Sequence, residues 1–352
     1  MKKITVETSQ PYNVLIEQGI LGHCGQIIAD TVKTRYAALI TDDIVDRLYA
    51  DTVIKSLEES GFKIKKFVFA NGETSKCSDN LNNIYTFLAE NNITRTDCII
   101  ALGGGVTGDI SGYAAATYLR GIKYIQIPTT LLAQIDSSVG GKTAINLPCG
   151  KNLIGAFKQP EVVICDPLTL KTLSDKIVSD GMAEAIKYGM IRDRKLFDII
   201  SQHNLQNYFD AVDDIIFRCV SIKSEIVKND EHDRGERMLL NFGHTLGHSI
   251  ESFFNYKKYT HGSAVSMGMY LITKRAAELS LCSIESLSLL KNVLNSYELP
   301  LNPTADLKDL VPLCCNDKKC ESKSINIIIC SDIGTSYIKK MPLSEFYSFM
   351  DL

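Results

Sequence analysis

The sequence predicts an α/β N-terminal domain built on a mostly parallel sheet, followed by a mainly α-helical C-terminal domain. Three observations carry this reading. Short runs at 36–40, 98–102, 124–128 and 161–166 are almost wholly apolar and lack the alternation of a strand with one wet face. Amphipathic stretches separate the early runs, and apolar strands alternating with such helices build a sheet covered on both faces. Beyond residue 172 helical spacing takes over, with few strand-like runs.

In chain order, residues 4–6 and 14–16 read as a strand pair. The run 36–40 ends in Thr41, Asp42 and Asp43, and 64–69 ends in Asn71, Gly72, Glu73 and Lys76. The run 98–102 breaks into Gly103, Gly104 and Gly105, and 124–128 opens into Thr129 and Thr130. The run 161–166 closes a first domain of residues 1–171, and 172–352 form a second. There 171–191, 212–229, 239–254, 263–277 and 284–296 read as helices, and 324–330 with 335–338 as a small hairpin. The charged segment 229–237 reads as a solvated loop.

A chain of 352 residues is long enough for two domains with real cores. Its 45% hydrophobic and 22% charged content is ordinary for a globular protein, and a net charge of −3 offers no global basic field to nucleic acid or an anionic membrane. An anionic substrate must therefore meet a local cluster of Lys and Arg. The first residues lack the apolar core of a signal peptide, and no run of about 18 apolar residues could span a bilayer. The ends read as those of a single-function chain. The 11 Cys form no C-x-x-C pair, and Cys98, Cys165 and Cys330 sit in strand-like runs, as reduced core thiols of a cytoplasmic protein do. Cys314, Cys315 and Cys320 do not have a standard zinc spacing.

Gly103, Gly105 and Gly108 satisfy G-x-G-x-x-G between a strand and a helix. That geometry turns backbone N–H groups and the helix dipole toward a phosphate, so the sheet is expected to be Rossmann-like. The usual acidic ribose ligand about 20 residues on is missing; Arg120 and Lys123 lie near that spot. Ligands of parallel sheets gather at the carboxyl ends of the strands. Asp42, Glu73, Lys76, Gly104, Asp109 and Thr129 all fall there, which points to a dinucleotide, although each alone also reads as a cap or turn residue.

The helical half carries a second constellation. His244 and His248 stand at i and i+4 on one helix face, a spacing that can serve one zinc. Thr245 occupies the place of a metallopeptidase's glutamate, so the peptidase reading fails. His261 precedes Gly262 at an expected helix start, and Glu184 lies one turn before Lys187. The glycine beside each of His244 and His261 reads as room for a ligand.

The blocks 103–109, 120–121, 128–130, 136–143 and 150–157 together resemble the 3-dehydroquinate synthase family, and the resemblance covers nearly the whole chain. It implies NAD bound by Asn71, Gly72, Glu73 and Lys76, by Gly105, Val106, Thr107, Gly108 and Asp109, and by Thr129 and Thr130. Lys142, Lys151, Thr169, Leu170, Lys171 and Thr172 join them, with Asp42 and Gly104 added on position. It implies a zinc or cobalt ion on Glu184, His244 and His261, with His248 a neighbouring proton-handling residue. The family reaction converts 3-deoxy-D-arabino-heptulosonate 7-phosphate to 3-dehydroquinate and phosphate. It proceeds by transient oxidation, β-elimination, reduction, ring opening and an aldol closure. Lys142, Asn152, Asn241, Arg120 and one of Lys318 and Lys319 would clamp the phosphate; Arg237 with Lys223 would hold the carboxylate. Lys187 would face the same pocket and Asp136 would lie near nicotinamide and metal, so Lys142, Asp136, Lys187, His248 and Asn241 are the expected catalytic residues. The resemblance also implies an active site in the cleft between the domains and a homodimer in which Arg120 reaches the partner's site.

Departures from the family pattern are few. Ser263 stands where an acidic residue is common, and Cys149 precedes Gly150. Three alternatives stay open: another sugar-phosphate cyclase, such as a 2-deoxy-scyllo-inosose or epi-valiolone synthase, an NAD-dependent polyol dehydrogenase, and a non-catalytic module. Arg237, Asn241 and His248 together favour the dehydroquinate reading over the first, and the full set of metal ligands and anion clamps argues against the last.

Overall fold

The structure, a computed structural model, describes residues 1–233, 235–316 and 324–352, and only the backbone at 315 and 316. Lys318 and Lys319 lie outside the described residues, as does Cys320. The chain divides into two compact units, Met1–Leu173 with Lys223–His232, and Ser174–Ile222 with Asp233–Leu352.

The first unit contains β1 (Lys2–Val6), β2 (Tyr12–Ile16), α1 (Cys24–Thr31), β3 (Tyr36–Asp42), α2 (Asp43–Val45), α3 (Asp51–Glu59), β4 (Lys63–Phe69) and α4 (Ser78–Glu90). There follow β5 (Cys98–Gly103), α5 (Gly105–Thr117), β6 (Lys123–Pro128), β7 (Lys142–Leu147), β8 (Gly150–Phe157) and β9 (Val162–Cys165). Seven strands form one sheet in the order β1-β2-β9-β6-β5-β3-β4. Only β1 and β2 pair antiparallel; the other neighbours are parallel. Every residue of β5 is buried, which is why its sequence shows no alternation. On one face Ile28, Val53 and Leu57 cover Leu39, Ile100 and Ile125. On the other Ile84, Leu88, Ile110 and Ala114 cover Ile40, Ile99 and Tyr124. Each such large apolar side chain contributes about 1.5–3 kcal/mol by leaving water. At the edge, β4 exposes Lys63, Lys65 and Lys66, and charge there blocks pairing with another chain.

β7 and β8 form an antiparallel hairpin, Lys142 opposite Phe157 and Leu147 opposite Gly150, which the sequence reading did not contain. Only Thr143 and Ile145 of β7 are buried, and most of β8 is exposed, so neither strand announces itself. The hairpin docks on α5, where a Cβ at Gly112 would collide with the Thr143 methyl. Ile145 joins the core beneath α5.

The second unit is helical: α6 (Asp175–Arg192), α7 (Arg194–Ser201), α8 (Val212–Asn229, its end from Lys223 belonging to the first unit), α9 (His244–Phe253), α10 (His261–Glu278), α11 (Ile284–Ser296) and α12 (Leu307–Leu310). The hairpin of β10 (Ser324–Asp332) and β11 (Thr335–Pro342) and then α13 (Leu343–Phe349) follow. Two expected helices are corrected. The one over 171–191 starts only at Asp175, because Pro167 opens a 3₁₀ turn capped by Asp166 and Leu173 is extended. The one over 239–254 is a 3₁₀ turn, Glu236–Asn241, then a break at Gly243 (φ +78°), so His244 begins α9. The segment 229–237 is not solvated throughout: Glu231 accepts hydrogen bonds from Ser9 N, Ser9 Oγ and Gln159 Nε2, and Arg237 is buried.

No helix among the described residues is long and apolar enough to cross a membrane. The nine described cysteines are all free, and most are buried. Burial pushes the Cys98 thiol up to about 12, as expected of a core residue rather than a reactive one.

Candidate active site

Parallel pairing brings the carboxyl ends of β3, β4, β5, β6 and β9 to one edge of the sheet in the first unit. α5 starts there, with Gly104 before it and no side chain capping its N-terminus. Its first amides therefore have no intrahelical acceptor and face outward with the positive end of the helix dipole. A Cβ on Gly104 would come 3.1 Å from the Thr130 methyl, and one on Gly105 would come 3.2 Å from Ser137 Oγ, so both glycines let neighbouring side chains pack close to the helix start. Gly108 serves packing instead. A Cβ there would strike the Gln126 amide of β6, so the bare glycine seats the helix on the sheet. Thr129 is buried and its Oγ1 has no hydrogen-bond partner. Asp42 spends Oδ1 on the amides of Ile44 and Val45, 3.0 Å each, as the cap of α2; its Oδ2 accepts from Thr107 Oγ1 at 3.4 Å. Gln134, wholly buried, donates to Pro128 O, Asp166 O and Thr169 Oγ1, fixing the ends of β6 and β9. Thr172 pairs with Tyr49 at 2.5 Å, Leu170 is buried and Lys171 is exposed.

The hairpin adds a polar network to this edge. Buried Lys76 bonds both Asp109 Oδ2 and Asn152 Oδ1. Burial raises the Asp109 carboxyl above its ordinary value, against the pull of Lys76. Asn146 is the node: its N–H donates to Lys76 O at 2.8 Å, its Nδ2 to Glu73 Oε1 at 2.7 Å, and its Oδ1 accepts from Asn152 N at 2.9 Å. Gly72 (φ +114°) permits the preceding turn, whose Asn71 N–H is held by Asp43. Lys142 is exposed at the start of β7, and Lys151 lies next to Asn152 on β8. Lys223, brought into this unit by the end of α8, donates to Asp136 O at 2.7 Å and Oδ1 at 2.5 Å. Arg120 is exposed in a strained turn, with Leu119 at φ +50° and Arg120 itself at φ +65°.

In the second unit three helices build a cluster. Glu184 on α6 is completely buried. Its Oε1 accepts no well-formed hydrogen bond, although His244 Nε2 lies 3.3 Å away and His261 Nε2 lies 3.4 Å away. Its Oε2 is bonded by the buried Lys187. Each imidazole is steered from behind: His244 Nδ1 lies 3.1 Å from Phe242 O, and His261 Nδ1 lies 3.2 Å from Glu251 Oε2. Burial pushes the Glu184 carboxyl up, but Lys187 and His244 outweigh it and hold the group well below the usual carboxylate range. Burial takes His244 down to about 4; in His261 the carboxylates of Glu184 and Glu251 prevail over burial and raise it to about 10. A divalent cation needs a lone pair from each imidazole, so its binding releases any proton they carry. An orphaned buried carboxylate oxygen converging with two imidazole nitrogens fits zinc or cobalt and leaves coordination positions for substrate oxygens.

His248 follows one turn on, its ring 5.4 Å from that of His244 and 6.2 Å from that of His261. It groups with Glu251 and His261, not with Glu184. The glycines beside the ligand candidates do not make room for a ligand, as the sequence suggested. A Cβ on Gly262 would lie within 3.0 Å of the Asp180 backbone, and one on Gly243 within 3.0 Å of Val265 O and Met269 Cγ. They let α6, α9 and α10 approach closely enough to bring three distant residues together. Sequence reasoning missed Glu251 and Asn146. Glu251 is three residues beyond His248 on the same helix face, which could have flagged it; Asn146 carried no signal without the hairpin.

Together these features define a class: an enzyme fold pairing a dinucleotide-type α/β sheet with a helical unit that holds a carboxylate–bis-imidazole set. Family models described as 3-dehydroquinate synthase N-terminal and C-terminal match residues 66–180 and 181–320. The chain is 46% identical to a 3-dehydroquinate synthase of Clostridium acetobutylicum, covering 99% of each. It is 40% identical to one of Streptococcus suis, covering 99% of this chain and all of that one. It belongs to the 3-dehydroquinate synthase family. Among solved structures it resembles a 2-deoxy-scyllo-inosose synthase complexed with carbaglucose-6-phosphate, NAD+ and Co2+, with TM-score 0.88, 23% identity and 99% of each chain covered. It also resembles a 2-epi-5-epi-valiolone synthase of Streptomyces hygroscopicus with NAD+ and Zn2+ bound, with TM-score 0.87, 24% identity, and 96% and 95% covered. A protein of Sinorhizobium meliloti described as a probable glycerol dehydrogenase shares the fold more distantly, with TM-score 0.63, 13% identity, and 87% and 89% covered.

Proposed function

We propose that this chain converts 3-deoxy-D-arabino-heptulosonate 7-phosphate to 3-dehydroquinate and inorganic phosphate without net redox change. The observation that carries the reading is the orphaned Glu184 oxygen between His244 and His261, in a chain 46% identical over its whole length to a synthase of that name. When bound, NAD would supply reversible hydride transfer and a divalent cation would supply Lewis acidity.

The chain's own residues do the rest. Glu184, His244 and His261 hold the cation, and Lys187 fixes the second oxygen of Glu184. His248, beside both imidazoles, handles a proton. The α5 N-terminus with Gly104 to Thr107, together with Thr129 and Thr130, cradles the cofactor's phosphates. Asn71 to Lys76, Asp109, Lys151 and Thr169 to Thr172 complete its site. Lys142, Asn152, Asn241 and Arg120 clamp the substrate phosphate, and Arg237, a planar donor, takes its carboxylate with Lys223. Asp136 holds Lys223 in place. The strained, exposed turn at Arg120 suits a residue offered to a second copy, so the active form is a homodimer. The nine free cysteines among the described residues suit the cytoplasm.

The test is phosphate release from the heptulosonate phosphate with NAD and zinc or cobalt, while NADH absorbance is followed. Phosphate without accumulating NADH, abolished by chelator and restored by cation, is the expected result. Stoichiometric NADH without phosphate would mean a dehydrogenase and would sink the proposal. A further expectation concerns Asn146. Asn146→Ala removes two side-chain hydrogen bonds worth about 1 kcal/mol each. Denaturant unfolding should show a loss of about 1–2 kcal/mol. NAD titration should show an affinity about tenfold weaker, because Glu73 loses its brace and so does Asn152, the side-chain partner of Lys76.

A further inference from the structure

We propose that Glu251 is a positioning residue for the metal centre, fixing the orientation and the donor strength of His261. The inference rests on the metal reading above and goes beyond its ligand set. Glu251 is buried on α9, and its Oε2 lies 3.2 Å from His261 Nδ1. A carboxylate there accepts the Nδ1–H, so Nε2, the atom 3.4 Å from Glu184 Oε1, is the nitrogen that gives up its proton and offers its lone pair when a cation binds. The two imidazoles are held differently: His244 leans on a neutral backbone carbonyl, that of Phe242, and His261 on an ionised side chain. That asymmetry matters for charge. The ligand set contributes one negative charge, Glu184, and the Lys187 ammonium bonded to Glu184 cancels it. Glu251 returns a negative charge to the cluster and polarises His261 toward the cation.

Two variants separate the effects. Glu251→Gln keeps an acceptor for Nδ1–H and loses the charge; Glu251→Ala loses both. The measurement is cobalt(II) titration of the full chain, reading both affinity and the visible absorption of the bound ion. Removing such an outer partner costs about 10–100-fold in metal affinity. Glu251→Gln should sit at the low end with the wild-type spectrum, and Glu251→Ala at the high end with an altered one. Circular dichroism and a thermal melt check folding, and the nearly isosteric Gln variant keeps the test decisive if the Ala variant unfolds. Wild-type affinity in Glu251→Gln and a wild-type spectrum in a folded Glu251→Ala would overturn the role while leaving the metal reading intact. Failure of the wild-type chain to bind cobalt would overturn the metal reading and this role with it. A second equivalent of cobalt per chain, lost in both variants, would make Glu251 a ligand with His248 and His261 and would also overturn it.

Discussion

Glu184→Ala is expected to abolish cation binding and to lower the rate of phosphate release by about 10³-fold or more, since a Lewis acid supplies several kcal/mol of transition-state stabilisation. Glu184 brings the only carboxylate oxygen facing both His244 and His261 among the described residues. Losing it leaves two imidazoles and no anionic ligand. The variant also strands Lys187, whose buried ammonium is bonded to Glu184. Breaking one side of a buried ion pair costs about 3–5 kcal/mol, so a falling melting temperature alone would not distinguish lost ligation from unfolding. The double variant Glu184→Leu with Lys187→Met, which keeps the volume of the pair, does. Replacing a whole buried pair by apolar groups is neutral or stabilising. The double variant should therefore recover most of the melting temperature and none of the cation affinity. Recovery of cation binding along with stability would remove Glu184 from the ligand set.

How much of this was legible in the sequence depended on how local each cause was. β3 and β5 could be read because strands buried on both faces show as uninterrupted apolar runs. β7 and β8 could not be, because burial in this hairpin does not follow the apolar pattern: β8 exposes Leu153, Ile154 and Phe157, and the pair is held by Thr143 and Ile145 docking on a helix distant in sequence. Missing the hairpin hid Asn146, whose partners Glu73 and Asn152 lie 73 and 6 positions away. In the helical half the one visible spacing, His244 with His248, pointed to a pair, whereas the cluster around Glu184 draws one residue from each of three helices. No spacing rule reaches across such a crossing. The family resemblance supplied that grouping; periodicity could not. The same limit misassigned Gly243 and Gly262, since whether a missing side chain makes room for a ligand or a backbone depends on what packs there.

Gly262→Ala is therefore expected to damage the metal centre without touching a ligand. Gly262 is the second residue of α10, and its N–H donates to Asp180 Oδ1 at 2.5 Å. The added Cβ would lie within 3.0 Å of Asp180 O, C and Cα. All three are backbone atoms of α6, so no side-chain rotation relieves the clash. α10 must lift away from α6, carrying His261 from its place 3.4 Å from Glu184. Metal–ligand distances tolerate only about 0.2 Å, so a displacement on the order of 1 Å removes a ligand outright. Stability should fall by about 1–3 kcal/mol, the usual cost of overpacking, and cation affinity should fall by about 100-fold or more if that ligand is lost. Gly22→Ala is the matched control, because a Cβ there meets nothing within 4 Å. The pairing of a thermal melt with cobalt titration discriminates the causes. A folded Gly262→Ala chain with wild-type cation affinity would mean that the closeness of α6 and α10 does not set the ligand geometry. A folded chain with lost affinity would mean that one absent methyl group holds the centre together.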